Sequence, residues 1–199
     1  MATREQAYQH ALGRFSEHVA TYKDYGELAV LNWQKLGRKE YSIRYVFDKV
    51  GNTLSIAGDL GEAVLFPTCK CDLENCARSF RNSIDYFAEK IRASSDMYVY
   101  DETETRAGLR ERLLHDDMDD AEKEDREDLI DEIMRDFDRW QGVRTLGDDT
   151  SNQLTNIDPD VFEFIGSLGQ HYHLRVYLWM FGLQFAWEQL QRETTAFEN

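Results

Sequence analysis

With 199 residues, 42% hydrophobic and 13% aromatic, the chain has the material for one domain with a substantial core. Its 38 Asp and Glu against 23 Lys and Arg leave a formal net charge of −15. That excludes a generic nucleic-acid binder and an anionic membrane surface as partner, since both require clustered Lys and Arg.

Tyr8, Leu12, Phe15 and Val19 recur at helical spacing and predict a helix over 4–20, followed by a less regular helical piece over 27–36 that stops at Gly37. The period then changes. Residues 41–47 alternate with β-branched and aromatic side chains, the turn chemistry of Gly51 and Asn52 follows, and two more short strands end at Pro67. This predicts a three-stranded antiparallel meander over 41–66. Helical periodicity returns over 72–93, where Asp72 is the expected N-cap, and over 102–116, where Asp101 and Glu104 fit a capping box. A helix over 120–140 follows, then a loop over 143–157, a short helix over 159–167 behind Asp158-Pro159, and a strongly apolar helix over 171–192. The expected architecture is a single α+β domain, 1–199, with the meander packed against a mostly helical body.

The N-terminus runs into a polar helical pattern with no apolar signal core. Val176 to Trp187 is the longest apolar stretch, well below the roughly 20 residues of a membrane span. Three cysteines within residues 69–76 do not make a disulfide framework, and the expected compartment is a reducing cytoplasm with no membrane partner.

Several constellations touch on chemistry. Cys69, Cys71 and Cys76 supply three thiols but lack the paired spacing of zinc knuckles and a nearby His. They read instead as two loop residues and one buried helix residue. His115-Asp116 is the kernel of a metal-dependent phosphohydrolase reading, in which the metal would activate water. His171 and His173 would share a face on a strand but diverge on a helix, and they are taken as a helix start. Asp116, Asp117, Asp119 and Asp120 lack the glycine of a calcium loop. No phosphate-cradling glycine loop and no nucleophile elbow is present, so no catalytic residue, cofactor or metal site is assigned.

The strongest feature is charge. Residues 111–138 hold fourteen acids and four bases, a net −10 in one helical stretch. Such a surface approaches the charge density of duplex DNA, one charge per roughly 1.7 Å, and would compete for a basic channel on another protein. The residues expected to carry this are Asp116, Asp117, Asp119, Asp120, Glu122, Glu124, Asp125, Glu127 and Asp128.

Three segments, residues 41–48 (YSIRYVFD), 51–64 (GNTLSIAGDLGEAV) and 84–91 (IDYFAEKI), together resemble small uncharacterised proteins of Gram-positive phages and mobile elements, a group bordering on anti-CRISPR inhibitors of RNA-guided nucleases. The likeness covers about a third of the chain, from Trp33 to Tyr100, and does not include the acidic helix. It implies a cytoplasmic role in a bacterial host cell. Joined to the charge run, it makes the leading expectation a non-enzymatic binder of a host nucleic-acid-handling protein, most plausibly a CRISPR effector nuclease. Two alternatives stand beside it: the phosphohydrolase around His115-Asp116, and a dimeric structural or assembly protein. The latter rests on Val176, Tyr177, Trp179, Met180, Phe181, Phe185 and Trp187, which nearly encircle the last helix.

Overall fold

The computed structural model describes residues 3–135, 137–143 and 146–197. In chain order the elements begin with α1 (Arg4–Arg14), β1 (His18–Asp24), β2 (Leu28–Lys35), β3 (Ile43–Asp48), β4 (Thr53–Gly58) and β5 (Ala63–Leu65). They continue with α2 (Leu73–Phe80), α3 (Ile84–Glu89), β6 (Ile91–Ser94), β7 (Tyr98–Tyr100), α4 (Glu102–Leu113) and α5 (Asp120–Arg135). The chain ends with β8 (Phe137–Asp138), β9 (Gly142–Val143), α6 (Asp148–Ile157), α7 (Val161–Phe164), a short 3-10 turn (Ile165–Ser167), β10 (Gln170–Tyr172) and α8 (Leu174–Phe197). Where the sequence suggests one domain over 1–199, contacts divide the described residues into two compact units, residues 3–97 with 173–197 and those within 98–172. The second is therefore an insertion in the chain of the first.

The larger unit is built on a six-stranded antiparallel sheet in the order β1-β2-β3-β4-β5-β6. The expected strands over 41–66 are present as β3, β4 and β5, but the meander is twice as wide. β1 and β2 extend it on one side, through register pairs such as Ala20 with Trp33 and Leu31 with Tyr45, and β6 extends it on the other. The helix expected over 4–20 thus ends at Arg14, and the piece over 27–36 is a strand. Tertiary burial explains the difference. Ala29, Leu31 and Trp33 are buried at every second position, and His18 and Ala20 do the same in β1. This is the period of a sheet face and not of a helix. Thr3 still opens α1 with a reciprocal capping box to Gln6.

Asp72 caps α2 as expected, accepting from Asn75 N at 2.9 Å, but the single helix over 72–93 is two short ones followed by strand β6. Ser83 breaks the run by capping α3 through Tyr86 N. Cys76 lies buried on α2, with Cys71 buried and Cys69 half-buried in the loop before it, and all three are free thiols. The hydrogen-bonded Cys71 thiol and burial push the Cys76 thiol well up, which keeps it protonated and unreactive.

α8 lies on the inner face of the sheet and touches α1, α2, α3, β1, β2 and β3. Val176, Trp179, Met180, Phe181, Leu183 and Ala186 are almost fully buried there. The chain's own elements thus cover part of the apolar surround that suggested a dimer, while Tyr177, Phe185 and Trp187 stay half-buried. Tyr45 crosses the interface and donates its hydroxyl to Trp179 O at 2.6 Å, while Gln184 Nε2 donates to Phe80 O at 3.3 Å. Among the described residues no helix is long and apolar enough to cross a membrane.

In the inserted unit, β7 pairs antiparallel with β10 where the chain leaves and returns. Its core joins Leu109 and Leu113 of α4, Leu129, Ile130, Ile133 and Met134 of α5, and Leu154, Val161 and Ile165. The helix over 102–116 is found as α4, with Asp101 accepting from Glu104 N. The helix over 120–140 ends at Arg135, and Phe137–Asp138 is strand, because Gly142 (φ 67°) and an Asp138 turn return the chain as β9. Asp136, Arg144 and Thr145 lie outside the described residues. The expected loop over 143–157 contains helix α6, which Leu154 anchors in the core. The helix over 159–167 starts two residues later and finishes as the 3-10 turn.

α8 and the sheet meet most closely at Gly182. A Cβ there would stand 2.7 Å from Tyr45 Oη and 2.8 Å from Ile43 Cδ1, whereas at Gly13 of α1 it would meet nothing within 4 Å. Gly182→Ala is expected to lose about 1–3 kcal/mol through overpacking despite its better helix propensity. Gly13→Ala should gain about 0.5 kcal/mol. Urea unfolding of the two variants, followed through the larger unit, checks the opposite signs.

Candidate functional site

The division into two units sharpens the charge distribution. Residues 98–172 contain 22 Asp and Glu against 8 Lys and Arg, a net −14, and the rest of the chain has 16 against 15, a net −1. Almost the whole net charge belongs to the insertion.

Within it, the nine acids expected to form the site separate into three groups. Asp116 and Asp117 are exposed in the turn between α4 and α5, beside the equally exposed His115. Asp119 and Glu122 are committed to structure. Asp119 Oδ1 accepts from Glu122 N at 2.9 Å and Glu122 Oε2 accepts from Asp119 N at 3.2 Å, a capping box that starts α5. The other five lie on the helix itself.

Asp120, Glu124 and Asp128 recur every four residues and form one outward ridge, all three exposed. Glu127 and Asp131 turn toward α4. Arg110 holds Glu127 in a forked pair, its Nε at 2.9 Å from Oε1 and its Nη2 at 2.9 Å from Oε2, and Arg106 pairs with Asp131. The Arg106 guanidinium keeps the Asp131 carboxyl below its ordinary range. Asp125 and Glu132, together with Glu122, Asp128 and Asp131, line an open cleft of about 840 Å³ between α5 and α6, where Arg126, Arg135, Gln153 and Asn156 also project. Glu132 accepts from Thr150 Oγ1. Among the described residues, Asp116, Asp117, Asp120, Glu124, Asp125 and Asp128 have no cationic partner.

The pairing lowers the expected charge density. Four residues of helix advance about 6 Å, while one DNA strand carries a phosphate every 3.4 Å or so. The ridge therefore has roughly half the axial density of a single strand, and Asp116, Asp117 and Asp125 must supplement it.

Other sequence-derived candidates are not brought together. Among the described residues no three His, Cys, Asp or Glu side chains converge as metal ligands, so His115-Asp116 gains no third ligand there and the three cysteines do not form a ligand set. His171 is not at a helix start. It lies in β10 opposite Val99, and its Nε2 meets Glu104 Oε2 at 2.6 Å, which diverts Glu104 from closing the Asp101 box. The paired arginines Arg106 and Arg110 escaped the sequence reading, although their i, i+4 spacing opposite an acidic helix is a usable signal.

Comparison with protein-family models, with curated proteins and with solved structures gave no match.

Like charges four residues apart repel by about 0.2–0.5 kcal/mol per pair. Glu124, flanked by Asp120 and Asp128, is therefore held at a cost, and Glu124→Lys should stabilise the inserted unit by about 0.5–1 kcal/mol. Asp119→Ala should destabilise it by about 1 kcal/mol through loss of the cap, with Asp119→Asn close to wild type. Hydrogen exchange of the α5 amides reads both changes.

Proposed function

We propose that the protein acts by binding, using the acidic ridge of residues 98–172 to occupy a basic nucleic-acid-binding surface of a host protein. The observation that carries this reading is the segregation of charge, a net −14 in 75 residues with the remainder near neutral. A merely soluble fold has no need of that imbalance, since self-repulsion opposes it. Asp116, Asp117, Asp120, Glu124, Asp125 and Asp128 are the contact residues in this reading. Asp119 and Glu122 build the helix start, and Glu127 is screened by Arg110.

Complementary potentials would steer the encounter and make it salt-dependent. A channel lined by Lys and Arg for a guide–target duplex offers the right counter-surface. The resemblance of residues 33–100 to phage and mobile-element proteins names RNA-guided nucleases as the first target class to try. Among the described residues no third His, Cys, Asp or Glu joins the exposed His115-Asp116 pair, so the acidic ridge and not this turn is the leading reading.

The test is capture from bacterial lysate by the tagged full chain, washed at low and at high salt, followed by binding of the purified partner to Asp116→Lys, Asp120→Lys, Glu124→Lys and Asp128→Lys combined. A nucleic-acid-handling protein held at low salt and released at high salt is expected, with binding lost in the fourfold variant. Undiminished affinity in that variant, with α5 still folded, would sink the proposal.

A further inference from the structure

The larger unit holds a second chemistry, unrelated to the charge of the insertion. The irregular chain between β5 and α2 carries Cys69, half-buried, and Cys71, buried, while Cys76 lies buried on α2. Cys71 directly precedes the cap Asp72. Cys76, whose N–H donates to Asp72 O at 3.0 Å, is the fourth residue of the helix. These are the two positions whose side chains pack across a helix start, usually as an apolar staple. Here both are thiols, and each is 0% exposed.

The backbone holds the pair in place. Asn52, left-handed at φ 50° in the β3–β4 turn, spans the loop before α2. Its Nδ2 donates to Pro67 O at 2.7 Å and its Oδ1 accepts from Cys71 N at 2.9 Å. Asp72 Oδ1 closes the first turn by accepting from Asn75 N at 2.9 Å. Cys71 and Cys76 are thereby fixed at the two ends of one capped turn, and the Cys76 S–H donates to the Cys71 sulfur. That hydrogen bond lowers the Cys71 thiol below its ordinary pKa in spite of burial, so Cys71 is the nucleophile of the two. Cys69 also borders Cys76, from nearer the solvent.

We propose that Cys71 and Cys76 form an oxidation site for small hydroperoxides, which close a disulfide between the residue before the α2 cap and the fourth residue of the helix. The Cys71 thiolate attacks the terminal peroxide oxygen, the O–O bond breaks, and the departing alkoxide takes a proton from water to become an alcohol. Cys71 is then a sulfenic acid. Cys76 Sγ attacks Cys71 Sγ, the S–O bond breaks, and the hydroxide leaves with the Cys76 proton as water. The pair of thiols loses two electrons, and the peroxide is reduced to alcohol and water. The Cys71 thiolate is what holds the proton on Cys76, so its oxidation in the first step frees Cys76 for the second. Both sulfurs are buried, so the oxidant must be small, and the irregular loop beside exposed Thr68 and Lys70 is its way in. In a reducing compartment such a bond is transient, as redox-sensing disulfides are.

Trypsin separates the possible bonds. Cleavage after Lys70 and Arg78 leaves Cys71 and Cys76 in one peptide and Cys69 in another. The full chain is treated with hydrogen peroxide, alkylated in denaturant and digested for mass spectrometry. The expected product is peptide 71–78 about 2 Da lighter than its dithiol form and closed to alkylation until reduced, with Cys69 outside the bond. The same treatment in urea, where the capped turn is lost, should give mixed bonds that join the two peptides. Cys69→Ser should leave the folded-state product unchanged. Peptide 71–78 still fully alkylated after peroxide, a bond from Cys69 to it in the folded chain, or the same mixture with and without urea would overturn the proposal without touching the acidic-ridge reading.

Discussion

The larger unit depends on how closely α8 can lie against its sheet. At Gly182 the missing side chain brings the helix backbone onto Tyr45, Ile43 and Trp33, and Tyr45 uses the approach to donate to Trp179 O across the interface. With that contact made, Trp179, Met180, Phe181 and Leu183 are buried from several sides, and α1, α2 and α3 find their places around the same helix. A six-stranded sheet with one buried face needs such a cover, because its inward row from Ala20 to Ile91 would otherwise be wetted.

The inserted unit obeys a different constraint. Its core is small and aliphatic, built from one side of α4, one side of α5 and the anchors Leu154, Val161 and Ile165. Around it the acids of α5 sort by direction. Glu127 and Asp131 pair with Arg110 and Arg106, Asp125, Asp128 and Glu132 line a polar cleft toward α6, and Asp120 and Glu124 stand outward in solvent. The arrangement tolerates a helix rich in like charge by pairing only the carboxylates nearest the core-forming neighbours. It leaves a ridge whose potential reaches about a Debye length, some 8–10 Å, from the surface.

The two units draw on opposite physics. The ridge works at long range and is weakened by salt, whereas the seating of α8 on its sheet works only on contact, through close packing at Gly182. Each unit has its own core, so one can be altered while the core of the other is kept.

Much of the local structure was legible in the sequence. The caps at Asp72 and Asp101, the Asp48–Asn52 turn, strands β3 to β5, helix α4 and the acidic stretch all follow from short-range chemistry: side chains that bond nearby amides, β-branched alternation, and charge. What escaped it depended on distant neighbours. Val19 continues a helical stripe begun at Tyr8, yet β1 is a strand because β2 offers it a ladder, and residues 27–36 follow for the same reason. The acidic residues were identified from the sequence alone, but their division into capping, paired and free groups was not. It is set by which arginine or amide of another element each one meets. The sequence by itself determined the composition, the charge and the local signals for turns and caps. Only the tertiary structure decided that the chain divides at 97 and 172, that α8 seats against Tyr45 at Gly182, and which acids remain unpaired. Those outcomes rest on contacts between residues far apart in the chain, which no local periodicity encodes.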